Sequence, residues 1–291
     1  MKKIRKAVFP VGGLGTRFLP ATKTLAKEML PVVDKPLVQY AFEEARDAGI
    51  EEFIFVMGRN KNAISNHFDN AYELQSILSE KKKQQELEQT VGWLPEAGSI
   101  IFTRQQQALG LGHAVWCARH LIGDEPFAVL LADDMVLAPS PCLKQMVQAF
   151  GSIEETSNLV AVQNVPREHT SRYGILSTAD ETPTLVKATD MVEKPKAAEA
   201  PSTLAVIGRY ILQPDIFTHL SRHEKGAGGE IQLTDAIRAS IPQHALYGFR
   251  FDGIRYDCGS KEGFLEANIA YALERPDLRD SMKEILKKYA H

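Results

Sequence analysis

The chain has 291 residues, 44% hydrophobic and 24% charged, with a formal net charge of −3. This balance suits a globular protein with a substantial core and excludes a surface made to hold a polyanion, so no nucleic-acid partner is expected. No apolar run is long enough to cross a bilayer, and three scattered cysteines, Cys117, Cys142 and Cys258, imply no disulfide framework. The expected compartment is the cytoplasm, with no membrane partner.

The N-terminus, Met1-Lys2-Lys3-Ile4-Arg5-Lys6 followed by Ala7-Val8-Phe9, has the charge of a signal peptide but not its length. Pro10, Gly12 and Gly13 cut the apolar run short, and no small-residue cleavage site follows. Residues 6–11 read instead as a first strand, and runs at 53–56, 127–131, 159–162 and 204–207 continue the series. Unbroken apolar runs predict strands covered by helices on both faces, most of them parallel. Residues 35–45 carry helical spacing and stop before Gly49. The predicted fold is a doubly wound, mixed but mostly parallel α/β sheet of Rossmann-like kind, with ligands at the carboxyl ends of its strands.

Residues 61–90 predict a polar helical insertion with a narrow apolar stripe (Ile64, Phe68, Leu74, Ile77, Leu78), and Lys81-Lys82-Lys83 reads as a solvated face. Beyond about residue 163 the strands shorten, at 174–176 and 185–187, which predicts a small antiparallel addition. From Ser260 two helices are expected, broken at Arg275-Pro276. Their stripe of Leu265, Ile269, Leu273, Met282, Ile285 and Leu286 would pack on the body or on a second subunit. Without repeats or a low-complexity linker, one continuous domain over 1–291 is expected.

The first predicted strand runs into Gly12-Gly13-Leu14-Gly15-Thr16-Arg17. Glycines directly after a buried strand let backbone N–H groups approach an anion, though such a run also serves as a plain turn. The dinucleotide spacing G-x-G-x-x-G fails at Phe18, and the P-loop pattern fails at Thr22 before Lys23. An NAD-dependent enzyme and a P-loop ATPase are thereby disfavoured. Pro20 and Pro31 make the next stretch a poor helix, so Arg17, Lys23 and Lys27 are expected on an ordered loop beside the glycines. Fixed cations next to exposed amides suit a triphosphate; Lys23 also reads as a plain surface charge.

Asp133 and Asp134 follow the run at 127–131, and Asp257 follows Ile254-Arg255-Tyr256, so all three are expected at strand ends. Adjacent side chains on a strand point opposite ways, so one of the first two would face a ligand. The same alternation would separate Glu193 from Lys194. His113, Cys117 and His120 fall at i, i+4 and i+7 of a predicted helix, a spacing open to zinc. With no fourth ligand evident, a packed helix is the favoured reading.

Gly12-Gly13-Leu14-Gly15-Thr16-Arg17 together with Lys27-Glu28-Met29-Leu30-Pro31 resembles the signature of the sugar nucleotidyltransferase family. Within it, the similarity is greatest to the bacterial branch that makes UDP-glucose from UTP and glucose 1-phosphate. Gly110-Leu111-Gly112-His113-Ala114, Glu193-Lys194-Pro195-Lys196, Gly229-Glu230-Ile231-Gln232-Leu233-Thr234-Asp235 and Asp257-Cys258-Gly259 extend the resemblance to about residue 270.

The resemblance implies a nucleotide-binding half over about 1–135, a sugar-phosphate half over about 136–260 and C-terminal helices over 261–291. It implies nucleotide contacts at Gly12, Gly13, Gly15, Thr16, Glu28, Gln105 and Gly110, with Gln105 at the pyrimidine edge. It implies sugar contacts at Asp134, Gly174 and Glu193, Mg²⁺ held by Asp133 and Asp257, and catalytic cations Arg17, Lys27 and Lys194. It also implies a homo-oligomer, dimer or tetramer. The expected reaction is in-line attack of a glucose 1-phosphate oxygen on the α-phosphorus of UTP, with pyrophosphate leaving and no general base required. Rival readings are the same chemistry with dTTP or another sugar 1-phosphate, since one methyl is worth only ~1–3 kcal/mol, and a non-catalytic nucleotide-sugar-binding regulator.

Overall fold

The computed structural model describes residues 3–290; Met1, Lys2 and His291 lie outside it, and with them the start of the N-terminal run read above. Strand β1 (Lys6–Val11) enters the glycine turn, and three 3₁₀ turns follow at Thr16–Phe18, Ala21–Lys23 and Lys27–Met29. Next come β2 (Pro31–Val32), β3 (Lys35–Pro36), α1 (Leu37–Asp47), β4 (Glu52–Met57), α2 (Asn62–His67), α3 (Tyr72–Glu80), α4 (Gln84–Val91) and β5 (Ile100–Arg104). The middle of the chain forms α5 (Leu111–Trp116), α6 (Arg119–Ile122), β6 (Phe127–Leu130), β7 (Asp134–Leu137), α7 (Cys142–Phe150) and β8 (Asn158–Asn164). It closes with β9 (Gly174–Glu181), β10 (Leu185–Glu193), β11 (Leu204–Leu212), α8 (Ile216–Leu220), α9 (Leu233–Ser240), β12 (Leu246–Arg250), β13 (Ile254–Asp257), α10 (Lys261–Glu274) and α11 (Arg279–Tyr289).

Nine strands form one mixed sheet in the order β5-β4-β1-β6-β11-β8-β12-β10-β9. The segment β5-β4-β1-β6 is parallel throughout, and β8 pairs parallel with β12. Strand β11 is antiparallel to β6, β8 and β9, and β10 is antiparallel to β12 and β9. The expectation of mostly parallel pairing, and of a parallel strand at 204–207 in particular, is therefore corrected. Every residue of β11 is buried. Burial reports cover on both faces and carries no information about direction. The antiparallel part is accordingly not a small addition: β11 sits in mid-sheet.

Alternate residues feed two cores. Phe9, Phe53 and Phe55 pack with Val38 and Phe42 of α1 and Leu143 and Met146 of α7 on one face. Val8, Ile54 and Val56 pack with Val115 of α5, Leu220 of α8 and Ile237 of α9 on the other. Phe9 stacks on Phe55 at 4.6 Å between ring centroids. Burying one such side chain stabilises the fold by about 1.5–3 kcal/mol. With both faces filled, the rim at the carboxyl end of the strands is left for chemistry.

Two predicted stripes divide. Ile64 and Phe68 join the core, whereas Leu74 and Ile77 lie exposed on α3. On the C-terminal helices Leu265, Ile269, Ile285 and Leu286 are exposed, while α10 docks through Ala267 and Tyr271 against β2 and β13 residues. Helix α1 starts at Leu37 rather than 35, because Pro36 holds an extended conformation as its N-cap. The helix expected through His113 and His120 is two short ones, α5 and α6, interrupted between Trp116 and Arg119.

Candidate active site

Strand β1 delivers Gly12 and Gly13 to the rim, where the next turns fold Lys27 back over them. Gly15 has φ +66°, and a side chain there would meet Lys27 Cβ at 3.0 Å. The turn is tied by Thr22, whose Oγ1 donates to Gly15 O at 2.7 Å. Thr16 and Lys23 are exposed on the loop.

Lys27 Nζ donates to Asp133 Oδ2 at 2.6 Å. Burial pushes the Asp133 carboxyl up, but the Lys27 ammonium outweighs it and holds the group below the usual carboxylate range. Burial likewise pulls Lys27 down while Asp133 and Glu28 raise it, with a net rise. A point one bond out from the Gly259 Cα lies 2.9 Å from Asp257 Oδ1, 3.0 Å from Asp133 Oδ2 and 3.3 Å from Arg17 Nη1. Arg17 Nη1 also donates to Gly259 O at 3.2 Å. Loops that are 106 and 242 residues apart in sequence from their partners thus meet at one spot.

Asp134 lies across β7 from Asp257 in the short β7–β13 ribbon. Its Oδ2 accepts from Gly208 N at 2.9 Å, and its Oδ1 faces the Arg255 guanidinium. Burial raises its pKa against the pull of Arg255. Glu28, expected on the nucleotide, instead turns inward: it is 1% exposed and accepts from Lys61 Nζ at 2.7 Å. Burial raises its pKa against Lys61 and Lys27, and its Oε1 has no hydrogen-bond partner among the described residues.

A cavity of about 550 Å³ opens beside this cluster, lined among others by Arg17, Asp133, Asp257, Gly174, Glu193 and Lys194. Glu193 ends β10 opposite Gly174. Its Oε2 accepts from Thr234 Oγ1 at 2.6 Å, and its Oε1 lies 3.1 Å from Lys194 Nζ. Strand alternation would have parted Glu193 and Lys194. It does not, because Lys194 lies past the strand end at φ +47°, a left-handed conformation costing a non-glycine residue of order 1 kcal/mol.

Beside the glycine turn, Gln105 Nε2 donates to Gly110 O at 3.0 Å and lies 3.1 Å from His113 Nδ1. Gln105 Oε1 is turned to Gly12, 3.0 Å from where a Cβ would stand. His113 Nδ1 is thereby engaged by an amide, with Cys117 Sγ 3.9 Å away, and His120 is exposed on α6. Sequence reasoning missed Lys61, Thr234 and Arg255. Thr234 lies inside a family-like segment and Arg255 in the run before Asp257, but only the fold shows that they touch Glu193 and Asp134.

A glycine-lined, cation-bearing rim at the carboxyl ends of parallel strands defines the class of α/β proteins that handle phosphorylated ligands. The chain belongs to the nucleotidyl transferase family, whose pattern matches residues 6–274. It is 49% identical over 289 residues to UTP–glucose-1-phosphate uridylyltransferase 2 of Staphylococcus saprophyticus, covering 99% of each chain. It is 49% identical over 283 residues to the UTP–glucose-1-phosphate uridylyltransferase of Bacillus subtilis, covering 97% of this chain and 96% of that one. Among solved structures, the UTP-bound UDP-glucose pyrophosphorylase (UGPase) of Acinetobacter baumannii superposes with a TM-score of 0.90 at 40% identity, covering 98% of this chain and 99% of that one.

Proposed function

We propose that the protein transfers the uridylyl group of UTP to glucose 1-phosphate, forming UDP-glucose and pyrophosphate. The observation that carries this reading is the meeting of Lys27, Arg17, Asp133 and Asp257 beside the glycine turn, the last three on the cavity wall. The names of the relatives supply the substrates. A phosphate oxygen of glucose 1-phosphate attacks the α-phosphorus in line; the bond to the β-phosphate oxygen breaks, and its electron pair leaves with pyrophosphate. The nucleophile is already an anion, so the protein's task is to position two anions and offset their repulsion.

Lys27 and Arg17 hold the departing phosphates. Lys194 meets the sugar phosphate, while Glu193, steadied by Thr234, and the backbone at Gly174 receive the sugar hydroxyls. Gln105 and Gly110 receive the base. Asp133 and Asp257 both line the cavity, their Oδ2 and Oδ1 atoms 3.0 and 2.9 Å from where a Cβ on Gly259 would stand, and a pair of carboxylates suits a hard divalent cation held through oxygen. They would hold Mg²⁺, which when bound supplies charge neutralisation between the phosphates. Asp134, held by Arg255 and Gly208 on the cavity wall, supports this pair or touches the sugar. Glu28 braces the Lys27 turn from beneath through Lys61. The reaction belongs in the cytoplasm, and the exposed C-terminal stripe makes a homo-oligomer.

Pyrophosphate release, measured with each of the four NTPs and dTTP against glucose 1-phosphate and Mg²⁺, tests the proposal. Release with UTP above the others is expected. Equal rates with dTTP would move the protein to the thymidylyl branch, and no release with any nucleotide would leave the binding-regulator reading.

A further inference from the structure

The amide of Gln105 can be oriented without ambiguity, because its Nε2 faces a carbonyl oxygen, Gly110 O at 3.0 Å. Only the NH₂ end of an amide tolerates that neighbour. The second hydrogen of Nε2 is directed at His113 Nδ1 at 3.1 Å. Nδ1 must therefore accept, so the imidazole is neutral with its proton on Nε2. What remains is Gln105 Oε1, which has no hydrogen-bond partner among the described residues and faces Gly12 of the nucleotide turn.

We infer that His113 is a positioning residue for base selection: by accepting from Gln105 Nε2 it keeps Oε1, a pure acceptor, aimed at the base. The inference rests on the uridylyl reading above. Uracil presents N3–H as a donor, which Oε1 accepts. Cytosine presents a lone pair at N3, which Oε1 repels. A flipped amide would reverse that preference, so what pins the amide pins the choice between the two pyrimidines.

The surroundings of His113 keep it an acceptor. Its ring stacks on Trp116 at 5.6 Å, and His223, in the turn after α8, meets it edge-on at 5.7 Å. Cys117 lies beside Nδ1, and the Arg119 guanidinium covers Trp116 at 3.6 Å. Burial first, then His223 and Arg119, lower the pKa of His113 below its ordinary value. Protonation would set Nδ1–H against the Gln105 NH₂. A flip to relieve that clash would press Oε1 against Gly110 O. No orientation then satisfies both neighbours.

The test uses UDP-glucose and CDP-glucose as probes, because neither carries a terminal phosphate that titrates near neutrality. Dissociation constants are measured by calorimetry for the wild type, His113→Asn and His113→Leu at about pH 7.5 and about pH 5. Asparagine can offer Oδ1 where Nδ1 stands and does not titrate; leucine offers no acceptor. H113L is expected to lose about tenfold in UDP-glucose affinity and at least as much in preference over CDP-glucose, while H113N stays near wild type. The wild type should weaken toward UDP-glucose at the acid end, and H113N should not. Unchanged preference in a folded H113L, or the same acid weakening in H113N as in the wild type, overturns the inference. If H113L does not fold, the two pH series decide alone. A wild type that does not prefer UDP-glucose at neutral pH removes the uridylyl reading and this inference together, a failure visible before any variant is made.

Discussion

The glycine-turn side of the site and the Glu193 side are built by different routes. The first rests on parallel strands β1 and β4; its glycine amides, Arg17 and Lys27 come from one continuous stretch of chain, and Gln105 joins them from the end of β5. The second rests on antiparallel β9 and β10, and it gathers a glycine, a carboxylate, a lysine and a hydroxyl from separate segments at Gly174, Glu193, Lys194 and Thr234. Lys27 is locked to Asp133 at 2.6 Å, whereas Lys194 is nearly half exposed and held only by its turn and Glu193. A parallel rim offers preformed dipoles for a phosphate chain, while an antiparallel edge offers alternating side chains for a polar sugar. The difference implies that one end is rigid before ligand arrives and the other is completed by it.

The largest expected effect lies beneath the rigid end. Lys61→Met leaves Glu28, 1% exposed, buried without its partner, and should cost about 3–5 kcal/mol of stability, read as a fall in Tm. Glu28 already has a raised pKa, so in the variant it takes up a proton as pH falls. The neutral acid tolerates burial, so the deficit should be widest at alkaline pH and shrink on acidification. A deficit independent of pH would mean that the lysine acts by packing alone.

Next in size are two of the proposed catalytic cations. Lys27→Ala and Lys194→Ala should each lower kcat/KM by about 10²–10³, as for loss of a fixed electrostatic donor. If the comparison holds, the Lys194 variant also raises KM for glucose 1-phosphate, and the Lys27 variant acts mainly on kcat. Asp133→Asn should weaken activity and its Mg²⁺ dependence together; an unaltered metal titration would remove Asp133 from the metal site.

Smaller effects probe the periphery. Thr234→Val removes the 2.6 Å hydrogen bond to Glu193 and should raise KM for glucose 1-phosphate about fivefold, leaving that for UTP unchanged. Leu265→Ser with Ile285→Ser, both exposed, should leave turnover intact and reduce the particle mass seen by light scattering. A mass that does not change would place any subunit interface elsewhere.

The contrast between the two ends also sets what could be read from residues alone. The glycine turn and its cations are contiguous, so their chemistry lay in one line of sequence. Two-sided burial was legible too, since β1 and β4 alternate between two apolar cores. Strand direction was not, because β11 is buried at every position whichever way it runs. The family resemblance implied a nucleotide contact at Glu28. Its inward turn depends on Lys61, 33 residues away, which no local pattern announces. Thr234 and Arg255 matter only through partners 41 and 121 residues distant. That Glu193 and Lys194 share a cavity follows from a single left-handed residue, a conformation that a lysine in the sequence does not advertise.

A crystal structure with UTP bound examines the central claim most directly. The account predicts the triphosphate over the Gly12–Gly15 turn within hydrogen-bond reach of Arg17 and Lys27, with the uracil edge on Gln105. A nucleotide bound away from that turn, or one whose phosphates leave both cations untouched, would contradict it.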